Sequence, residues 1–232
     1  MATTLMAIAA HPGDAVFTMG GALAQHIQNG GRGVFVTLTA GEKGAPSNIP
    51  VDRYGELQRA ASEKAAKLLG AEFEILTYLD AEVPLNDRVA QAISDVIRQH
   101  QPDIVVTHWS GSWHKDHQNC HLLVRDAIFY AGLTTMNRKD PPHTVRKLYF
   151  ADNWEDAENF KPDTYLDITA VFEKWLQACD AYPMWRGQTG FFRYNDYYSS
   201  LAVMRGCLSG FRHAVALMSD PTERVSRVSA LL

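Results

Sequence analysis

Cysteine is scarce in this chain of 232 residues. Cys120, Cys179 and Cys207 are odd in number, and their spacing fits no zinc ribbon. A disulfide framework is therefore not expected. Long apolar runs are missing too. The N-terminal stretch MATTLMAIAAHPGD has no positive segment, and its apolar run is too short for a signal-peptide core or a membrane span. A cytoplasmic protein with no membrane partner is the expectation. Charge of one sign is not concentrated anywhere: 22 Lys and Arg stand against 26 Asp and Glu, intermixed, for a net charge of −4. That pattern excludes the basic stripe of a nucleic-acid binder and the polybasic helix of a membrane-surface protein. No internal repeat, low-complexity tract or linker interrupts the chain, so one domain over residues 1–232 is expected. The composition, 46% hydrophobic and 21% charged, is that of a globular chain able to bury a substantial core.

What is present is an alternation of strands and helices. Leu5 to Ala10 reads as a buried strand, followed by a tight polar loop with His11 and Asp14. Ala22, Leu23 and Ile27 then form a helical face that stops at Asn29-Gly30-Gly31. Gly33 to Thr39 is a second strand, ending in a loop with Glu42. Arg53 to Leu69 is a helix stopped by Gly70. Phe73 to Leu79, Asp87 to His100 and Asp103 to Thr107 give strand, helix and strand. Asp116 to Tyr130 is helical. Lys147 to Phe150 and an edge strand at Tyr165 to Ile168 follow, with Thr169 set to cap a helix through Trp175 to Ala181. An aromatic flap over Phe191 to Tyr198 and a last helix over Ser199 to Met218 complete the reading.

Four rounds of alternation predict an α/β fold with a mostly parallel sheet covered on both faces. Right-handed crossovers then put every strand's carboxyl end on one rim, where such sheets bind ligands. His11, Asp14, Glu42, Asp80 and the loop at His114 all fall just past strand ends.

HxxD in the first loop offers a neutral nitrogen and an anionic oxygen. The second motif, HxxH at a helix start, offers another nitrogen. Three N/O ligands with a fourth position open to water describe a catalytic Zn2+ site, one per chain, although iron or manganese accept the same donors. His108 and His121 are expected to be structural. The aromatic stretch Tyr182 to Tyr198 is read as packing, which leaves Trp109 and Trp113, flanking the second motif, as the better candidates to meet a sugar ring.

These motifs resemble the PIG-L/LmbE family of zinc-dependent de-N-acetylases. That family's AHPDDE…GG stands here as Ala10-His11-Pro12-Gly13-Asp14-Ala15 and Gly20-Gly21; its HPDH stands as His114-Lys115-Asp116-His117. Arg53, Glu56 and Leu69-Gly70 match an intervening helix, and Thr39, Gly41, Glu42 and Gly44 match its T.GE.G loop. The resemblance is close over residues 5–125 and weaker beyond, where Arg205-Gly206 and Gly210 match a late element. It implies a Rossmann-like three-layer α/β/α sandwich. It implies His11, Asp14 and His117 as zinc ligands, and His114 as acid or oxyanion stabiliser with Asp116 orienting it. It implies a small-molecule substrate, and assembly into a homo-oligomer is open to the chain because the family often assembles.

The departures bear on the chemistry. The family's general base, the first Asp of HPDDE, is Gly13 here, and the closing Glu is Ala15; a late AE is Ala214-Val215. Three accounts fit. In the first, the chain still hydrolyses an acetamide, with Glu42 or Asp116 as the replacement base. In the second, it resembles the family's zinc-dependent hydratases of unsaturated oxo-dicarboxylic or tricarboxylic acids (the 4-oxalomesaconate hydratase branch). There an acid at the place of Glu42 moves protons, and Arg53, Arg186 or Arg193 would meet substrate carboxylates. In the third, it binds a metal or a sugar without turnover.

Overall fold

The computed structural model describes residues 2–156, 158–187 and 192–223. The chain opens with β1 (Thr4–Ala9), α1 (Pro12–Phe17), α2 (Gly20–Gln28) and β2 (Arg32–Thr39). Next come α3 (Val51–Leu69), β3 (Glu72–Tyr78), α4 (Asp87–His100) and β4 (Ile104–Thr107). The C-terminal half holds α5 (Lys115–Gly132), β5 (Lys147–Ala151), β6 (Thr164–Asp167), α6 (Phe172–Cys179), α7 (Tyr194–Ser209) and β7 (Ala214–Ser219).

The strands form a seven-stranded sheet in the order β3-β2-β1-β4-β5-β7-β6. The pairs from β3 through β5 are all parallel. Side chains alternate between two buried clusters, as a sheet covered on both faces requires. Leu5, Ala7, Ala9 and Phe35 enter one cluster with α1, α2, α3, α6 and α7. Met6, Ile8, Ala10, Val34 and Val36 enter the other with α4 and α5. This is the three-layer α/β/α arrangement with a mostly parallel sheet that was expected.

The strand order reverses at β1 and β4: β2 and β3 lie on one side of β1, β4 and β5 on the other. Such a reversal opens a crevice at the carboxyl ends of the two central strands. His11 follows β1 and the HKDH motif follows β4, so both motifs open onto that crevice.

Four local expectations are corrected. The stretch after β1 is no polar loop but a short helix, α1, with His11 at its N-cap and Pro12 at its first position. Proline is well suited there, because the first helical N–H has no partner to lose. The helix over Ser199 to Met218 is two elements. Helix α7 begins earlier, at Tyr194, and ends at Gly210 in the left-handed region (φ 80°). The apolar run Ala214 to Met218 then becomes β7, inserted antiparallel between β5 and β6. Thr169 does not cap α6, whose N-cap is Val171; its hydroxyl accepts from the His213 N–H at 3.1 Å instead. Of the supposed flap, Phe191 lies outside the described residues, and Tyr194 to Tyr198 form the first turn of α7.

Candidate metal centre

The HxxD spacing becomes chemistry through α1. Residues three apart on a helix share a face, and His11 Nδ1 lies 3.0 Å from Asp14 Oδ2. His117, in the first turn of α5, brings Nε2 to 3.0 Å from the same oxygen and 3.3 Å from His11 Nδ1. Three donor atoms thus surround one point with mutual separations of 3.0, 3.0 and 3.3 Å. A tetrahedral ion with ligands at about 2.0–2.1 Å has ligand-to-ligand edges of about 3.3 Å. The donor set fits a metal ion on that geometry.

Both histidines are held from behind by carboxylates. His11 Nε2 stands 3.1 Å from Asp80 Oδ1 and 3.5 Å from Asp116 Oδ2. His117 Nδ1 stands 2.9 Å from Glu155 Oε2, with Ser112 Oγ at 3.2 Å. A carboxylate on the distal nitrogen fixes the tautomer that leaves the other nitrogen free to ligate. Beneath His117, His108 stacks at 3.9 Å between ring centres. The Nε2 of His108 accepts the Ala10 N–H at 3.0 Å, so this ring is committed to the backbone of the β1 end. His121, likewise buried, faces the His108 carbonyl from 3.0 Å. His114 stacks on the outer side of His117 at 4.6 Å. Its Nδ1 accepts the Asp116 N–H at 3.2 Å, which leaves the proton of the neutral ring on Nε2.

The electrostatics of the metal-free site call for positive charge. Burial disfavours the imidazolium of His117, but the Asp14 carboxylate and hydrogen bonds to Asp14 and Glu155 outweigh it and lift the pKa to about 9. His11 is raised as well, against burial, by Asp116, Asp14 and Asp80. Burial alone would raise Asp14, yet His117 and His11 hold it well below the usual carboxylate range. His114 goes the other way: burial and the neighbouring His11 lower it, so this ring is neutral near pH 7. His108 is lowered further, by burial and His117.

A pH dependence follows. The folded pKa of His117, about 9, lies above its unfolded value of about 6.5. Its contribution to stability is therefore fully present below about pH 6.5 and is lost as pH rises through about 9. A bound ion takes the His117 lone pair in place of the proton, so metal competes better as pH rises. The metal-free protein should melt lower at about pH 9.5 than at about pH 6, and the gap between zinc-loaded and metal-free melting temperatures should widen over that range. A gap that stays constant or narrows would contradict the ligand assignment of His117.

The donor atoms open into a cavity of about 160 Å³. His114, Asp80 and Glu155 line it near the ligands, and Tyr54, Phe17, Trp154 and Tyr194 supply aromatic walls. Among the described residues no lysine or arginine lines it. Glu42 Oε1 accepts the Asp80 N–H at 2.8 Å, and the Lys43 N–H donates to Asp80 Oδ2 at 3.0 Å. Glu42 thus braces the loop that aims Asp80. Asp116 is wholly buried; its carboxylate lies 3.5 Å from His11 Nε2 and within 4.8 Å of a His114 ring nitrogen, and its backbone N–H donates to His114 Nδ1 at 3.2 Å. Arg53 is 62% exposed and paired with Glu56 on its own helix. Arg186 and Arg193 pair with Asp180 and Asp196. Trp113 is 58% exposed and meets Trp154 edge to face at 5.7 Å. Trp109 donates its indole N–H to the Glu158 carbonyl at 2.8 Å.

Sequence reasoning placed Asp80 on the rim without a partner and missed Glu155, Asn153 and Ser112 altogether. None of the three sits in a motif. A carboxylate shortly after the β5 run was the only available signal.

The chain is 27% identical over 229 residues to the diacetylchitobiose deacetylase of Thermococcus kodakarensis, covering 94% of this chain and 83% of that one. It is 27% identical over 211 residues to the 4-oxalmesaconate hydratase of Pseudomonas putida, covering 87% of this chain and 79% of the relative. In fold it matches the crystal structure of the 4-carboxy-2-hydroxymuconate hydratase of Pseudomonas putida KT2440 at a TM-score of 0.85, with 23% identity and 99% of each chain covered. No helix among the described residues is long and apolar enough to cross a membrane. The family model for GlcNAc-PI de-N-acetylases matches residues 6–128, which carry both histidine motifs, and the chain belongs to this PIG-L family.

Proposed function

We propose that this protein is a zinc-dependent amide hydrolase that removes the acetyl group from a small, uncharged acetamido compound of the N-acetylglucosamine type. His11, Asp14 and His117 would hold the ion. Zinc bound there supplies Lewis acidity and lowers the pKa of a coordinated water to about 7.

The chain's own groups fit amide cleavage. His114, neutral and with its proton on Nε2, can donate a hydrogen bond to a carbonyl oxygen as charge develops there. Asp80 and Glu155 are held by the imidazoles they orient. Trp154, Tyr194 and Tyr54 offer faces and edges to a sugar ring. The observation that carries the reading is the lining of the cavity. It holds Asp14, Asp80 and Glu155 and, among the described residues, no lysine or arginine. A dicarboxylic or tricarboxylic substrate would meet three carboxylates with only the metal to offset them. An uncharged acetamido group meets no such repulsion.

One observation favours a second reading. Gly13 leaves the place of the family's base without a side chain, and a hydratase acting on a conjugated acid needs no base there for attack on an amide. The test is to incubate the zinc-loaded protein with N-acetylglucosamine and diacetylchitobiose, measuring acetate and free amine. Conjugated oxo-dicarboxylates are followed in parallel by ultraviolet absorbance. Equal acetate and amine support the deacetylase. Loss of absorbance without acetate replaces it with the hydratase. Tight zinc binding with neither product leaves a metal-binding relative.

A further inference from the structure

The metal centre has a component outside the residues that the family model matches. Past β5, the loop beginning at Asp152 lies against the loop that carries the second histidine motif. The Trp113 N–H donates to the Glu155 carbonyl at 3.1 Å, and Ser112 bridges to Asp156. Within the later loop, Asn153 Oδ1 accepts the Glu155 N–H at 3.2 Å, and the Asn153 N–H donates to Asp156 Oδ2 at 3.0 Å. The same Asn153 oxygen accepts the Tyr198 hydroxyl at 3.1 Å, which ties the loop to α7.

This brace reaches two of the three ligands. Glu155, 7% exposed, brings Oε2 to 2.9 Å from His117 Nδ1. Asn153 Nδ2 points at the outer oxygen of Asp14, Oδ1, from 3.5 Å, while Oδ2 faces the two histidines.

We infer that Glu155 is a positioning residue of the metal centre: its carboxylate, 2.9 Å from His117 Nδ1, pairs with the ring on that side and keeps the proton on Nδ1, so that the Nε2 lone pair is turned toward the ion and made more basic. This rests on the metal reading above. Groups in this outer position are typically worth about 10–100-fold in metal affinity. Ser112 Oγ reaches the same nitrogen but carries no charge. It keeps the ring's orientation when Glu155 is removed without restoring the ligand's basicity.

The experiment is zinc affinity by competition with a chelating dye, for wild type, Glu155→Ala and Glu155→Gln, with the melting temperature of each metal-free protein recorded. The expected result is a loss of about 10–100-fold in Glu155→Ala and a smaller loss in Glu155→Gln, which still offers an acceptor oxygen but no charge. A purely structural role would lower the metal-free melting temperature and leave affinity unchanged in whatever remains folded. Equal affinity in all three proteins overturns the inference. If Glu155→Ala does not fold, Glu155→Gln decides: several-fold weaker zinc at an unchanged melting temperature supports the role, and unchanged affinity ends it. Failure of wild type to bind zinc would instead sink the metal reading itself, and no outcome depends on which reaction the protein runs.

Discussion

Replacing His117 by alanine is expected to leave a folded protein that holds no metal. Wild type supplied with zinc should retain about one ion per chain after dialysis, and His117→Ala none. The loss should exceed the roughly 10–100-fold that outer-shell changes cost, because one of only three protein donors is gone. The remaining pair, His11 Nδ1 and Asp14 Oδ2, is 3.0 Å apart on one short helix. A chelating pair of that kind has no third point to fix an ion in the crevice. Any turnover should vanish with the metal, since Gly13 offers no base to attack an amide without it. Elemental analysis alongside circular dichroism checks this. His117→Ala protein with a full zinc complement would sink the ligand assignment, and wild type that never takes zinc would sink both enzyme readings.

The second large effect concerns Gly13. It is the second residue of α1, buried, and lines the cavity beside Asp14. A Cβ placed there would stand 3.2 Å from Phe17 Cε2 and 3.3 Å from Met184 Sδ. Met184 lines the same cavity, with its sulfur 3.9 Å from Gln58 Nε2. The thioether thus takes up room that a longer side chain at position 13 would need. Gly13→Asp alone should therefore gain little, because its carboxylate competes with Met184 for space. Gly13→Asp with Met184→Ala should admit the carboxylate beside the metal. If the protein is a deacetylase short of its base, acetate release by the double variant should rise by about 10²–10⁴ over wild type, the usual contribution of general base catalysis. A helix N-terminus and a divalent cation both favour an anion at that position. Acetate release that stays at the wild-type level in a folded, zinc-loaded double variant would mean that proton transfer is not what the site lacks.

Glu42 and Glu155 show how far residue type and position can be read. Both follow a strand, but the alternation of strands and helices places only Glu42 at the crevice and leaves Glu155 unread. Their roles separate only in three dimensions. Glu42 turns toward the Asp80 backbone, whereas Glu155 reaches a ring on a helix that begins forty residues earlier in the chain. Asp116 shares this ambiguity. Its place in HKDH suggests a partner for His114; in three dimensions its carboxylate lies 3.5 Å from His11 Nε2 and within 4.8 Å of a His114 ring nitrogen, while its N–H donates to His114 Nδ1.

The sequence by itself determined the parallel half of the sheet, β1 to β4, and the two histidine motifs at the ends of its central strands. Those features are local: apolar runs of strand length, helix stops at glycine, and ligand spacings of three residues are written in neighbouring positions. Only the tertiary structure decided the antiparallel insertion of β7, the carboxylates behind each histidine, the cation-free lining of the cavity and the thioether beside Gly13. Each is a contact between residues distant in the chain. Such contacts depend on where separately folded segments come to rest, and burial there, rather than local propensity, sets which side chains face one another.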